Sequence, residues 1–231
     1  MSAARLPSPI IRVAVHALVY AAALFFVFPL VWMVITSLKT DQEAIALPSW
    51  GTLLPSAPQW VNYVRAMEAA QLGRFYSNTI IVAVITTVLA GFHNAIAGFA
   101  FAKLRFAGRE GFFWTALASM MLPVQVSFLF AYVIAGRLGL FDNLQALIVP
   151  FLCSGFGIFY MRQAVSAIPE ALLDAGRIDG MSDTELFFNV VVPSACGSIA
   201  ALAVFTFVAS WNNFFWPLIA IDSVQYKTLP L

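Results

Sequence analysis

The sequence predicts an all-α fold, a polytopic transmembrane helix bundle, and two observations carry that expectation. Of the 231 residues, 61% are hydrophobic and only 10% charged, against roughly 25% charged in an ordinary water-soluble domain. The apolar residues also fall into five runs free of Asp, Glu, Lys and Arg, at 13–38, 75–102, 112–135, 144–161 and 194–221. At 1.5 Å rise per residue, about 20 residues cross a hydrocarbon core of roughly 30 Å. Spanning strands would instead alternate in segments of about ten residues. The chain is expected to form one transmembrane domain over 1–231.

The first run is longer than the 7 to 15 apolar residues, roughly, of a signal peptide, and no small-residue cleavage pattern follows it. It is expected to remain as an anchor. The second run carries small residues four apart, Gly91 with Ala95 and Gly98 with Ala102, a spacing that lets helices approach closely. Pro123 and Pro150 fall inside the third and fourth runs, where each removes a backbone donor that a neighbour or a hydrated cavity must make good.

Lys103, Arg105 and Arg109 crowd one short connection, where the positive-inside rule acts most strongly. That places the N-terminus in the cytoplasm, with Arg5, Arg12, Arg162 and Arg177 on the same side. The 39–74 connection then lies outside. Its Pro48, Pro55, Pro58, Trp50 and Trp60 suggest an irregular segment near the headgroups.

The 169–193 segment departs from the apolar pattern. It holds Glu170, Asp174, Asp179, Asp183 and Glu185, five of the eleven acidic residues, beside Arg177. Inserting six charges would cost on the order of 15 kcal/mol or more, so the segment stays in water. Pro169 and Glu170 suit a helix's first turn, and a short helix is expected to about Ile178. Gly180 breaks it. Ser182 and Glu185 then form a capping box for a second short helix ending before Pro193. Ala171, Ala175 and Gly176 leave one face of this knuckle without bulk, which suits docking into a partner's groove.

The chemistry of other classes is missing from the sequence. It has no Gly-Lys pair, hence no phosphate-cradling loop, and no G-x-S-x-G or H-E-x-x-H pattern; its two histidines, His16 and His93, are far apart. Cys153 and Cys196 read as small buried apolar residues. A net charge of +1 supplies no basic surface for nucleic acid. No cofactor, metal or catalytic residue is expected. A secondary transporter or channel is the alternative class, yet such proteins commonly carry carboxylates inside their spans, and here every Asp and Glu lies outside or at the ends of the five runs.

Several stretches, in order, resemble one family. Asp174-Ala175-Gly176-Arg177-Ile178-Asp179-Gly180, followed by Val190-Val191-Val192-Pro193, is similar to the E-A-A…G signature of permease subunits of binding-protein-dependent ABC importers. Ser37-Leu38-Lys39-Thr40, Ala100-Phe101-Ala102-Lys103-Leu104-Arg105-Phe106, Leu138-Gly139-Leu140 and Trp211-Asn212-Asn213-Phe214-Phe215-Trp216-Pro217-Leu218 resemble its carbohydrate-uptake, maltose-type branch. Two positions depart from the signature: Asp174 stands where glutamate is usual, and Gly176 where the second alanine is.

The resemblance implies a sugar-translocating subunit of a bacterial inner membrane. Its coupling residues would be Asp174, Ala175, Gly176, Asp179, Gly180 and Pro193. It implies a homologous companion permease, two ATPase subunits that bind ATP and Mg, an extracytoplasmic solute-binding protein and surrounding lipid. Family members have a sixth span after Thr228-Leu229-Pro230-Leu231, so a truncated product or fragment is expected. Asn94, Trp211, Asn212 and Asn213 are candidates for the translocation path, against the plainer reading that they make interhelical hydrogen bonds.

Overall fold

A computed structural model describes residues 9–47, 51–69 and 71–231, without the side chains of Pro9 and Ala69. Arg5, Pro48 and Trp50 lie outside the described residues. The chain divides into two compact units, Met1–Leu72 and Gly73–Leu231.

In the first unit, α1 (Pro9–Ser37) is the first expected span, with Ile10–Ser37 long and apolar enough to cross a membrane. The connection after it, expected to be irregular, contains α2 (Asp41–Ile45) and α3 (Val61–Ala69). A helix leaves its last carbonyls unpaired, and here the chain just beyond α1 is tied down by α3. Asn62 Nδ2 donates to the carbonyls of Ser37 at 3.0 Å and Lys39 at 2.9 Å, while Gln59 N–H donates to Leu38 at 2.9 Å. Thr40 and Glu43 form a capping box on α2. Ser56 donates to Glu43 from its hydroxyl and its backbone, and these bonds, the hydroxyl's first, hold the Glu43 carboxyl down to about 2.

The second unit is built on α4 (Leu72–Lys103), 32 residues or about 48 Å of continuous helix. It covers the expected second span and extends past both ends. The third expected span, 112–135, is not one helix. It is divided into α5 (Arg109–Ser119) and α6 (Val124–Arg137), bent by 109°. Pro123, with ψ 134°, holds the backbone extended at the break, and neither piece, at about 16 and 21 Å, crosses a bilayer alone.

The fourth expected span, 144–161, is likewise broken. α7 (Leu144–Ile148) runs into a 3₁₀ turn holding Pro150, and α8 (Gly155–Ser166) restarts after a 46° bend. Pro123 and Pro150 thus stand at breaks, as the missing donors suggested. α9 (Glu170–Ile178) and α10 (Asp183–Leu186) are the two helices of the knuckle.

α10 does not stop before Pro193. It continues through a π turn at Phe187–Val191 into α11 (Val192–Ser194). Val192 N–H reaches back five residues to the Phe187 carbonyl, a wider turn that accommodates the proline's missing donor. The 79° bend comes at Ala195, before α12 (Cys196–Trp211). The fifth expected span, 194–221, ends as a continuous helix at Trp211, and α13 (Phe215–Ala220) follows as a separate turn.

Two cores hold this unit. One joins Ala95 and Phe99 of α4 to Met161 and Val165 of α8, and to Leu173 and Leu186 of the knuckle. The other surrounds Trp216, fully buried, whose Nε1–H donates to the Ala146 carbonyl at 2.8 Å. Where α4 crosses α8, a Cβ at Gly98 would stand 2.5 Å from Met161 Cβ and 2.7 Å from its carbonyl carbon. At Gly91 a Cβ would meet nothing within 4 Å. Of the two small-residue pairs in the sequence, only Gly98 marks a close backbone approach. Gly98→Ala is therefore expected to destabilise the purified protein by about 1–3 kcal/mol through overpacking, while Gly91→Ala is neutral or slightly stabilising. Thermal unfolding in detergent distinguishes the two.

Candidate functional site

Two places gather the residues that the sequence singles out: the 169–194 knuckle and a cavity in the second unit.

The knuckle is closely packed on its inner side. Leu173 and Leu186 are fully buried, and Gly176, whose Cβ would lie 2.5 Å from Leu186 Cδ2, is small because α10 packs against it. Gly176 is thus not part of an open docking face, contrary to the sequence expectation. Its neighbour Gly180 adopts φ +85°, a left-handed conformation costly for other residues. Gly180 N–H donates to Arg177 and Met181 N–H to Gly176, the paired bonds of a Schellman cap.

The outer side is exposed: Ala171, Asp174, Ala175 and Asp179 face solvent, as does Pro193 further on. Ile178 stands 86% exposed, beside half-exposed Leu172. Asp174 pairs with Arg177 at 2.8 Å, and Arg177 reaches Glu170 at 3.3 Å. Sequence reasoning missed Ile178; the signal was an isoleucine inside the acidic segment.

The knuckle is fastened to α4 by Lys103. Its side chain is only 8% exposed, and its Nζ donates to the Ile168 carbonyl at 2.7 Å and to Glu170 Oε2 at 3.0 Å. The Lys103 hydrogen bond, followed by that of Arg177, holds the Glu170 carboxyl below its ordinary range. A second tie runs from Arg162 of α8 to Glu110 of α5 at 3.2 Å, with the guanidinium 3.8 Å from the Phe113 ring centroid.

The cavity, of about 280 Å³, lies against the middle of α4. Thr86, Asn94, Ser154, Thr206, Ser210 and Asn213 supply its polar lining, and Phe151, Phe156 and Phe205 its rings. Asn94, 1% exposed, donates from Nδ2 to the Ala90 carbonyl at 2.7 Å and accepts Ser154 N–H at 3.2 Å on Oδ1. It thereby seals the break before α8. Gly157 is small for the same reason, since a Cβ there would lie 2.5 Å from Asn94 Cγ.

Of the four path candidates, the structure brings Asn94 and Asn213 to this cavity and sends Trp211 and Asn212 to a shallower apolar recess of about 250 Å³ beside Phe207 and Val208. Trp211 packs on Tyr76 and Phe207. Asn212 Nδ2 donates back to the Val208 carbonyl, and Asn213 Oδ1 accepts Trp216 N–H at 3.4 Å. Thr86, Ser154, Thr206 and Ser210 went unnoticed in the sequence, because single hydroxyls in an apolar helix resemble ordinary helix residues.

Residues 94–228 match the family model described as "Binding-protein-dependent transport system inner membrane component". The lactose transport system permease protein LacG of Rhizobium radiobacter is 32% identical over 91% of this chain and 76% of its own length. The sn-glycerol-3-phosphate transport system permease protein UgpE of Agrobacterium fabrum is 30% identical over 96% and 80%. The arabinooligosaccharides transport system permease protein AraQ of Bacillus subtilis is 29% identical over 95% and 79%. In fold, the chain is similar to one in the crystal structure of a bacterial ABC transporter involved in the import of the acidic polysaccharide alginate. The TM-score is 0.84 at 23% identity, covering 99% of this chain and 80% of that one.

The Lys103 tie has a pH signature. Glu170 has a depressed folded-state pKa, so its contribution is complete above the ordinary glutamate range and is lost as pH falls through the depressed value. Protection against hydrogen exchange over 170–179, taken relative to the intrinsic rate at each pH, is expected to fall on acidification, and Lys103→Met to move that fall to higher pH. An unchanged profile in the variant would show that the tie does not hold the knuckle.

Proposed function

The chain belongs to the family of binding-protein-dependent transport system inner membrane components, and from that premise we propose that it is a translocation subunit of an ABC importer for sugars or related polyols, coupled to separate ATPase subunits through the 169–194 knuckle. The carrying observation is the asymmetry of α9. Its inner face is locked to α4, α8 and α10, while Ile178 projects an apolar side chain into solvent. An exposed isoleucine on a short, capped, charged helix suits a groove on another protein. Asp174, Ala175, Asp179 and Gly180 would frame that contact, with Gly176 setting the shape behind it and Pro193 exposed further along the chain.

In this reading the ATPase subunits bind ATP and Mg, and their closure pushes on α9. A companion permease completes the path, an extracytoplasmic binding protein delivers solute, and lipid surrounds the spans. The N-terminus lies in the cytoplasm. The ties of Lys103 to Glu170 and of Arg162 to Glu110 support one shared side for the basic 103–109 connection and the knuckle, as the positive-inside rule requires. The sugar assignment rests on what the relatives are named for, lactose and arabinooligosaccharides among them.

Ile178→Glu puts a charge where the proposal requires a buried contact. Burying an isoleucine is worth about 1.5–3 kcal/mol, so loss of coupled transport by about tenfold or more is expected, with membrane insertion and thermal unfolding unchanged because the side chain is 86% exposed. Transport in reconstituted vesicles at the wild-type rate would overturn the docking role.

A further inference from the structure

α3 has almost nothing to rest on within the chain. Of residues 61–68, only Asn62 is partly covered; the other seven are exposed. A helix of nine residues is too short to persist in water on propensity alone, and short helices are held by packing one face. Trp60, Tyr63, Val64 and Met67 supply such a face. They stand three and four apart, so they share one side of the helix, and they are between 47% and 68% exposed. Arg65 and Glu68 lie outside that stripe.

What covers the stripe follows from where α3 is tied. Its first turn is bonded to three consecutive residues at the end of α1. Asn62 Nδ2 donates to the carbonyls of Ser37 and Lys39, Gln59 N–H donates to that of Leu38, and the Tyr63 hydroxyl lies 2.7 Å from Ser37 Oγ. The Ile10–Ser37 span has 28 residues, about 42 Å of helix, which matches the roughly 40–45 Å of a bilayer with its headgroups. Residues 37–39 therefore stand in the headgroup layer, and α3 starts at that level. Trp60 and Tyr63 stack there with ring centroids 6.3 Å apart, and these residue types collect at membrane interfaces because each has an apolar body and a polar tip. An uncharged stripe on a helix held at this height suits immersion by about 5–10 Å in the plane of the interface.

We propose that α3 is an interfacial anchor, a helix lying in the bilayer surface at the far end of α1, with Trp60, Tyr63, Val64 and Met67 among headgroups and upper acyl chains and with Arg65 and Glu68 turned to water. Its occupant is lipid and not a protein partner. The anchor sets the height and tilt of the first span, which apolar length alone leaves open. The inference rests on the membrane class and needs neither the importer reading nor a docked ATPase.

The test uses the full chain with its co-expressed subunits in lipid vesicles, carrying Cys153→Ala and Cys196→Ala. Val64→Cys, Met67→Cys, Arg65→Cys and Glu68→Cys are made singly and spin-labelled; each side chain is exposed, so the label displaces no packed neighbour. Collision rates of the label are measured with oxygen, which concentrates in lipid, and with a water-soluble nickel chelate. The oxygen-to-nickel ratio is expected to be several-fold higher at 64 and 67 than at 65 and 68. Equal ratios at all four positions would put the stripe in water, and exclusion of both reagents from 64 and 67 would put it against protein; either result overturns the anchor. Ile178→Glu leaves this readout untouched whatever it does to transport, so the two proposals fail separately.

Discussion

Four polar side chains on one helix satisfy backbone groups of the irregular segments packed against it. Asn78 Nδ2 donates to the carbonyls of Gln225 and Lys227, both at 2.9 Å. Thr79 Oγ1 accepts Leu229 N–H at 2.8 Å, Asn94 accepts Ser154 N–H, and Lys103 donates to the Ile168 carbonyl. Within a bilayer no water is at hand to satisfy such groups, and irregular backbone survives only where protein does so. α4 is therefore the mast of the second unit. Its unbroken length allows the other segments to be bent at 120–123, 152–154 and 195 without orphaned polar groups accumulating.

The same helix connects the two candidate sites. Thr86 and Asn94 line the cavity, and Lys103, 17 residues beyond Thr86 or about 25 Å along the axis, holds the knuckle. Between them, Gly98 brings α4 against α8 at backbone distance and Phe99 enters the core that also contains Leu173 and Leu186. A displacement of α9 thus meets close-packed side chains and a buried ammonium. Packed cores of this kind have low compressibility and transmit strain, so a push on α9 would be carried into α4 and α8.

Legibility followed the physics of each signal. Composition and run length fixed the helical membrane class, and α4 was read almost to its ends because its apolar run is uninterrupted. The capping box at Ser182 and the stop at Gly180 were readable because each is a local hydrogen-bond pattern of a few residues. The 109° and 79° bends were not, since hydropathy integrates over a window and is blind to direction. Pro123 marked a break without revealing its angle, and the π turn carried α10 past the proline where it was expected to stop. Gly176 was misread for a related reason: smallness shows that something approaches closely, but only the fold shows that Leu186 of the same chain does so. The cavity depends on residues up to 127 positions apart, from Thr86 to Asn213, and no local pattern joins them.

The inner face of α9 belongs to this chain's core, and the proposed function gives its outer face to a partner ATPase. Single cysteines at Leu172, Leu173, Gly176 and Ile178, placed in a background lacking Cys153 and Cys196, can be cross-linked in membranes to co-expressed ATPase subunits. The account predicts cross-links from positions 172 and 178 that change in yield with nucleotide, and none from 173 or 176, which the knuckle itself buries. Silence at 178 in a normally inserted protein, or equal reaction from the buried positions, would contradict it.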